Sequence, residues 1–236
     1  ILAGSAAGGL FGTNDGGVNW SSLTDDFAWM AMGTIAFHPT QEGTVYIGTG
    51  DPQISSHPRL GDGVHRSVDG GATWTHLGLD SARIVSKILI LEDTPEVIMA
   101  ATMGNPAVKG PNRGLYRSSN SGTTWDHVLL PSDSAGVNDL AYDSSTGIMI
   151  ASGWNRLRNS TRSLVVGPES KLYRSDDSGI TWASVSNPWG NENRCRIGLS
   201  EHNGVFFALV VGLNMQIDNI YKSTDGGMNW SPIISD

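Results

Sequence analysis

Cysteine is almost absent from the 236-residue chain, and the single copy, Cys195, excludes a disulfide within it. Charged residues make up only 16 % of the sequence, and so few charges fit neither a disordered segment nor a coiled coil. Long apolar runs are also missing. The longest, Val205 to Leu213, is far shorter than the ~20 residues of a membrane-spanning helix, so we expect no membrane span.

Positive charge is scarce as well. Lys and Arg number 15 against 23 Asp and Glu, which gives a net charge of −8, and lysine forms no run. Because phosphate contacts need clustered positive charge, we expect no nucleic-acid partner. The six histidines lack the spacing of a metal site, and no carboxylate-rich calcium loop is present, so we expect neither a metal ion nor a cofactor. The chain starts at Ile1 without a visible signal peptide, and we interpret it as processed or partial.

Glycine, by contrast, is abundant, with 30 residues and no three-residue period, which favours a fold rich in turns. Many of the glycines belong to an internal repeat with the pattern Ser/Thr-x-Asp/Asn-x-Gly-x-x-Trp. It occurs five times, and its tryptophans lie 54, 51, 57 and 48 residues apart. The paired positions are Asp15 and Trp20, Asp69 and Trp74, Asn120 and Trp125, Asp177 and Trp182, and Asp225 and Trp230.

The residue types of this repeat predict a tight turn. Asp or Asn accepts hydrogen bonds from backbone N–H groups a few residues later. Glycine at the fifth position permits a positive φ, and the Ser or Thr hydroxyl adds a local hydrogen bond. We expect the tryptophan to be buried between neighbouring units. The five Asp or Asn residues are therefore assigned a structural role.

Short apolar runs surround each repeat, such as Val45–Thr49 before the second one and Ile84–Ile90 at the opening of the following unit. They give four strands per ~50 residues without helical periodicity. Units of this kind predict an all-β propeller with antiparallel four-stranded blades. The five blade units span roughly residues 1–25, 26–78, 79–130, 131–186 and 187–236, and the first lacks its opening strand. We therefore favour an arc of a larger propeller over a closed five-bladed ring.

The repeats resemble the Asp-box, or BNR, repeat of sortilin-like and sialidase-like propellers. Thr34–Pro39, Val45–Asp51 and Leu172–Trp182 are especially similar to large secreted bacterial proteins. The resemblance implies a secreted or cell-surface bacterial protein, with the boxes on the outer rim and away from the binding face. Because sialidases, xyloglucan-cleaving propellers, sortilin receptors and photosystem assembly factors share the box, it indicates the fold and not the function.

The binding face is expected to consist of the loops between strands two and three and of the loops between blades, which vary in length. All three tryptophans outside the boxes fall in these loops, together with several arginines. Tryptophan offers a flat apolar surface and arginine a forked donor, which suits sugar rings or protein partners. The candidate binding residues are Trp29, His57, Arg59, Arg83, Trp154, Arg156, Arg158, Trp189 and Arg194.

Catalysis on a glycan requires two carboxyl groups about 5 to 9.5 Å apart. The candidates are Asp51, Asp62, Asp139 and Asp218, each of which also fits a capping or solvated carboxylate. A sialidase is not favoured, because the five tyrosines fit packing positions and no Phe/Tyr-Arg-Ile-Pro motif is present. The xyloglucan-cleaving propellers that the chain resembles place their site between two propellers, and this chain is too short for two.

Two functions are compatible with these observations. The first is a non-catalytic secreted or cell-surface module that binds or scaffolds a protein or a glycan, within a larger chain or assembly. The alternative is a glycoside hydrolase of the xyloglucanase or sialidase type, or a fragment of one. The placement of the four carboxyl groups distinguishes the two. Cys195, between two arginines, is expected to be a buried structural residue.

Overall fold

The computed structural model describes residues 1–54, 57–190 and 192–234, and its strands form a series of antiparallel sheets. A three-stranded sheet comes first, and four four-stranded sheets follow it along the chain. Among the described residues there is no α-helix, and none of the elements is a helix long and apolar enough to cross a membrane. The predicted propeller of antiparallel blades with an incomplete first blade is confirmed.

Within every sheet the strands are hydrogen-bonded in chain order. Sheet 1 contains β1 (Leu2–Ser5), β2 (Gly9–Gly12) and β3 (Ser21–Ser22); sheet 2 contains β4 (Met32–Phe37), β5 (Val45–Thr49), β6 (Val64–Ser67) and β7 (Thr75–His76); sheet 3 contains β8 (Val85–Ile90), β9 (Ile98–Thr102), β10 (Gly114–Ser118) and β11 (Asp126–Leu129). A 3-10 helix, Asp80–Ala82, precedes β8.

Sheet 4 has an extra hairpin between its second and third strands. The sheet itself contains β12 (Ala135–Asp143), β13 (Ile148–Asn155), β16 (Leu172–Ser175) and β17 (Ala183–Ser184). The hairpin consists of β14 (Leu157–Arg158) and β15 (Ser163–Leu164). Sheet 5 contains β18 (Ile197–His202), β19 (Val205–Val211), β20 (Ile217–Ser223) and β21 (Ser231–Pro232).

The opening strands β4, β8, β12 and β18 pack against one another in succession and therefore lie nearest the propeller axis. Because neighbouring strands alternate in direction, the loops between strands two and three and the loops between sheets emerge on the same side. We call this side the loop face. The Asp-box turns connect strands three and four and emerge on the opposite side.

Apolar side chains fill the space between consecutive sheets, because each strand turns alternate residues to one face. In β19, Phe206, Ala208 and Val210 are buried against sheet 4, where they meet Ile150 and Leu172. Equivalent clusters lie between the other pairs of consecutive sheets. Each blade therefore depends on its neighbours for its core, as the units of repeat proteins do.

The Asp-boxes form the expected side-chain-locked turns. In sheet 2 the hydroxyl of Ser67 donates to Oδ1 of Asp69 at 2.7 Å and accepts a hydrogen bond from the backbone N–H of Gly71 at 2.8 Å. Oδ1 of Asp69 also accepts a hydrogen bond from the backbone N–H of Thr73 at 2.8 Å. Gly71 has φ +99°, which side-chain-bearing residues rarely adopt. The carboxylate thus organises the turn from within.

The box tryptophans differ from the expectation of full burial. Four of the five are half-buried, and Trp20 is 44 % exposed. The reason is that the rings of the second to fifth boxes lie at the edge of the apolar cluster shared with the preceding sheet. The indole N–H of Trp74 donates to the carbonyl of Leu23 at 3.0 Å and that of Trp125 to the carbonyl of Leu77 at 2.9 Å, whereas those of Trp182 and Trp230 donate to carbonyls of their own boxes. Among the described residues, no sheet precedes that of Trp20.

Acid destabilisation of the fold follows from the box carboxylates. Hydrogen bonds from Thr73 lower the pKa of Asp69 to about 2, and hydrogen bonds from Asn229 lower that of Asp225 to about 2, from a usual 3.8. Because the lowered pKa belongs to the folded state, the stabilisation is complete above the unfolded-state pKa and is lost as the pH falls from about 5 towards 2. We expect the denaturant midpoint of unfolding to fall across this window.

The matched variant is Asp69→Asn with Asp225→Asn, because Asn120 shows that asparagine fits the box: its Oδ1 accepts the hydrogen bond from the backbone N–H of Thr124 at 2.9 Å. The amide does not titrate, so the variant is expected to lose less stability between pH 5 and pH 3 than the unchanged protein. Equal losses in urea titrations at these two pH values would contradict this role of the carboxylates.

The last sheet leaves an apolar face open. Phe207, Leu209 and Ile220 lie on the side of sheet 5 that faces away from sheet 4, and Leu209 is 36 % exposed. The corresponding residues of sheet 4 are Ile150 and Leu172. Both are fully buried by sheet 5. None of the apolar clusters among the described residues joins sheet 1 to sheet 5, whereas each pair of consecutive sheets shares one. These sheets form an arc.

Residues 1–236 expressed alone are therefore expected to self-associate through this open face. Replacing Phe207 and Leu209 together by serine is expected to lower the proportion of aggregates, because both side chains lie on the open face and contribute little to the junction with sheet 4. Size-exclusion chromatography with light scattering measures the effect. A monodisperse monomer of the unchanged chain that melts cooperatively would contradict the arc and favour a closed five-bladed ring.

Candidate functional site

The loops of the loop face pack on one another above the axis. Their apolar residues form one cluster, in which Ile54 of the loop after β5, Met103 of the loop after β9 and Trp154 at the end of β13 meet Ile84 and Cys195. Burial raises the pKa of the Cys195 thiol, in line with the expected structural role. Because four blade units contribute to this cluster, the face is a single surface and not a set of separate loops.

Two buried arginines hold these loops in place. Arg156 donates through Nη2 to the carbonyl of Ile54, in the loop of another blade, and through Nη1 to the carbonyl of Leu164 at 3.2 Å. Arg113 is 1 % exposed and donates to the carbonyls of Asn105 and Val108, both at 2.7 Å. Burial lowers the pKa of Arg113 to about 10, which leaves the guanidinium charged at neutral pH.

The three tryptophans outside the boxes each lie beside an arginine. The guanidinium carbon of Arg83 is 4.5 Å from the ring centroid of Trp29, and that of Arg194 is 6.0 Å from the ring of Trp189. The ring of Trp154 has the guanidinium groups of Arg156 and Arg196 at 5.7 and 5.5 Å. Trp154 and Trp189 are buried and pack the loops, whereas Trp29 is half-buried and keeps part of its ring accessible.

A groove of about 760 Å³ opens beside the hairpin β14–β15. It is lined by His57, Pro58, Arg158, Asn159, Ser160, Thr161, Arg162 and Ser163. Arg59 is exposed next to it, and its carbonyl accepts a hydrogen bond from the backbone N–H of Asp51 at 2.8 Å. The groove therefore brings together the predicted binding residues His57 and Arg158 in a basic, polar setting.

Two of the four candidate carboxylates lie near the same guanidinium. Burial lowers the pKa of Arg196, and the charges of Asp139 and Asp51 oppose that shift. Arg196 also hydrogen-bonds the side chain of Gln53, whose backbone N–H donates to Oδ1 of Asp51 at 2.9 Å. Asp139 and Asp51 thus belong to one charged group near the axis, and Lys87 joins it with its Nζ 3.4 Å from Oδ1 of Asp139.

The carboxylate of Asp139 is occupied at both oxygens. Oδ1 accepts a hydrogen bond from the backbone N–H of Leu140, and Oδ2 from that of Leu199 in the next sheet, both at 2.9 Å. Asp139 follows an irregularity in the pairing of β12 with β13, which turns its side chain toward the neighbouring opening strand. Its contacts are those of a carboxylate that links two blades.

The other two candidate carboxylates lie apart from this group. Oδ1 of Asp62 is 2.9 Å from Nε2 of His65 on sheet 2, and Oδ2 of Asp218 is 3.2 Å from the guanidinium of Arg194 on sheet 5. Asp62 and Asp218 occupy corresponding places in different blades, five residues before the Ser of the box. The described residues therefore offer one charged group at the axis, with Asp51 and Asp139 as its carboxylates.

Comparison with known families supports the fold at the level of the repeat. The sequence profile of the BNR/Asp-box repeat matches residues 221–232, which hold the whole fifth box and the end of the strand before it. The chain thus carries the BNR/Asp-box repeat on a β-propeller fold. Its other four boxes share the same turn hydrogen bonds, so the Asp-box propeller extends over all five sheets.

Relatives of this Asp-box propeller include two bacterial enzymes. A xyloglucanase of Paenibacillus sp is 26 % identical over 210 residues, which are 78 % of this chain and 20 % of the relative. Xyloglucanase Xgh74A of Acetivibrio thermocellus is 27 % identical over 230 residues, which are 87 % of this chain and 25 % of the relative. The chain thus spans about a quarter or less of the length of these relatives.

A solved structure has the same fold. The crystal structure of the GH74 xyloglucanase from Xanthomonas campestris superposes with a TM-score of 0.69 at 18 % identity, over 98 % of this chain and 35 % of that chain. At this identity the likeness concerns the fold alone.

Sequence reasoning did not select two of the axis residues. These are Arg196, which follows Cys195 in the chain, and Lys87 in the opening strand β8. A position-by-position alignment of the opening strands offers a signal for both, because Lys87 and Asp139 occupy the same position after the irregularity in β8 and in β12. A charged residue at that position of an otherwise apolar opening strand therefore indicates a side chain near the propeller axis.

Proposed function

We propose that this propeller arc is part of a glycoside hydrolase that cleaves a xyloglucan-type β-glucan, and that its loop face binds the glycan. The similarity to two xyloglucanases over most of the chain supports the substrate class. The chain spans a small part of those relatives, so we propose that further blades or a second propeller complete the site. Secretion by a bacterial cell follows as part of the same proposal, because such a polymer is outside the cell.

The observation that carries this proposal is the charged group at the axis. Asp51 lies at the end of β5 on the loop face and is 5 % exposed, next to Gln53 and the charge of Arg196. Of the four candidates it is the carboxylate that we propose takes part in catalysis, since Asp139 is occupied by two backbone N–H groups. Glycosidases act with a pair of carboxyl groups, and the second one would come from outside this chain.

The half-buried ring of Trp29 suits the rest of the glycan. A sugar ring can stack on its accessible part, while Arg83 holds the other part at 4.5 Å and offers donors to sugar hydroxyls. The basic groove at His57 and Arg158 is open and polar, which suits the branches of a substituted glucan. These residues would position the chain and leave bond cleavage to the carboxyl pair.

Hydrolysis assays on the longest natural protein that contains this chain test the proposal. Release of reducing ends from xyloglucan is expected to exceed that from an unbranched β-1,4-glucan and from an α-glucan. A protein that neither binds nor cleaves any of the three polymers would overturn the proposal.

A non-catalytic glycan-binding module is the second candidate. It is favoured by the partners that occupy Asp62, Asp139 and Asp218, which leave few carboxylates for chemistry. Under this candidate the same assays give binding of xyloglucan, measured by retention on the immobilised polymer, without release of reducing ends. The two functions therefore predict different results with one set of polymers.

A further inference from the structure

Two histidines and one carboxylate come together on sheet 2. His65 on β6 pairs directly with His76 on β7 across the antiparallel ladder, which puts both side chains on one face. One ligand atom from each of His65, His76 and Asp62 can be chosen so that all three lie within 4.8 Å of one another. Sequence spacing concealed this group, because strand pairing and not helical periodicity brings the histidines together.

Comparison with the other blades shows that this group is specific to sheet 2. The position of His65, two residues before the Ser of the box, is a tyrosine in the next three sheets: Tyr116, Tyr173 and Tyr221. In sheet 3, Tyr116 stacks on His127 with ring centroids 4.4 Å apart and planes 9° apart, whereas His65 and His76 are tilted by 44°. The usual aromatic pair is replaced here by two imidazoles that do not stack flat.

The residue five positions before the Ser of the box also differs between sheet 2 and sheet 3. Asp62 occupies the position of the buried Arg113 in sheet 3. Sheet 5 has Asp218 there, but that carboxylate pairs with Arg194 and not with histidines. The backbone contact, by contrast, is shared: Nε2 of His76 is 2.8 Å from the carbonyl of Asp62, and Nε2 of His127 is 2.9 Å from that of Arg113. His76 therefore makes the same packing contact as His127, and this contact does not explain why sheet 2 has His65 and Asp62.

The group can be reached from solvent and has a fourth oxygen nearby. The side chain of His65 is 9 % exposed and that of His76 is 38 % exposed, so one side of the group is open. Oδ1 of Asp80, in the 3-10 helix, is 3.6 Å from Nε2 of His76. Two imidazoles and a carboxylate with an open position form a donor set that suits zinc and similar divalent ions.

We propose that Asp62, His65 and His76 bind a zinc-class divalent cation, with Asp80 or water as the fourth ligand. The ligands come from the loop before β6, from β6 and from β7. A bound ion therefore ties the outer two strands of this blade to the loop that leads from Asp51 on the loop face. The site is separate from the proposed glycan site and does not depend on it.

Titration of the protein with Zn²⁺ tests this proposal. Isothermal titration calorimetry is expected to show one tight ion per chain, and the thermal midpoint of unfolding is expected to rise with Zn²⁺ concentration. Co²⁺ in the same site is expected to give the strong visible absorption of a tetrahedral complex. The variant His65→Tyr restores the residue of the other blades and is expected to weaken Zn²⁺ binding at least ~100-fold, since it removes a ligand.

Two further variants make the result decisive. Asp62→Asn keeps the size of the side chain and is expected to weaken Zn²⁺ binding as well, which provides a second reading if His65→Tyr folds poorly. His127→Ala removes the corresponding histidine of sheet 3, where the described residues form no such group, and is expected to leave Zn²⁺ affinity unchanged. The proposal is overturned if the unchanged protein binds no stoichiometric Zn²⁺, or if it and the two sheet 2 variants bind it equally.

Discussion

Replacing Asp51 by Asn is expected to lower kcat for xyloglucan hydrolysis by ~10²–10⁴, the usual contribution of a group that transfers a proton in the transition state. Oligosaccharide binding is expected to persist, because the amide has the size of the carboxylate and its oxygen can still accept the hydrogen bond from the backbone N–H of Gln53. Steady-state kinetics on xyloglucan, with binding measured separately, give the two quantities.

The matched control for this experiment is Asp176→Asn. Asp176 lies in the fourth Asp-box and is 69 % exposed on the side opposite the loop face. Its removal is expected to leave kcat unchanged. If Asp51→Asn retains the rate of the unchanged protein, Asp51 is not a catalytic residue, and the second candidate function gains support if the polymer is still bound.

Loss of Arg113 is expected to have the largest effect on stability. Its guanidinium donates to the carbonyls of Asn105, Val108 and Arg156, and it is buried in the loop face. Arg113→Ala leaves these carbonyls without the donor, and each buried unsatisfied acceptor costs ~1–3 kcal/mol. We expect unfolding to require about 3–5 kcal/mol less free energy, because three backbone acceptors lose one shared donor.

Thermal unfolding of the protein and its variant measures this loss. Arg66→Ala is the control, since Arg66 is half-buried on β6 and lies outside the loop network. Its thermal midpoint is expected to change much less than that of Arg113→Ala. Similar shifts for the two variants would show that the buried guanidinium adds nothing beyond an ordinary arginine.

The blades were predictable because their signals are local. The strand Val45–Thr49 has the bounds that its apolar run predicts, and the box between β10 and β11 forms the predicted turn. A box carries its own hydrogen-bond partners within a few residues, so its structure depends little on the rest of the chain. The missing opening strand of the first blade was predictable from the number of apolar runs around each box.

The loop face was predictable only in composition. Sequence placed Trp154 and Arg156 there, but their burial depends on Ile54, which comes from another blade and is far away in the chain. The hairpin β14–β15 and the buried Arg113 lack a local pattern that distinguishes them from a solvated loop. The pair His65 and His76 likewise depends on the register of two strands, which no motif in the sequence states.

Hydrogen exchange with a bound xyloglucan oligosaccharide tests the central proposal, a glycan site on the loop face, most directly. Slower exchange of backbone amides is expected at residues 23–31, 50–63 and 153–170, around Trp29, Asp51 and the basic groove. The Asp-box turns, on the opposite side, are expected to exchange at unchanged rates. Protection of the box turns, or no protection in these loops while the oligosaccharide is bound, would contradict the proposal.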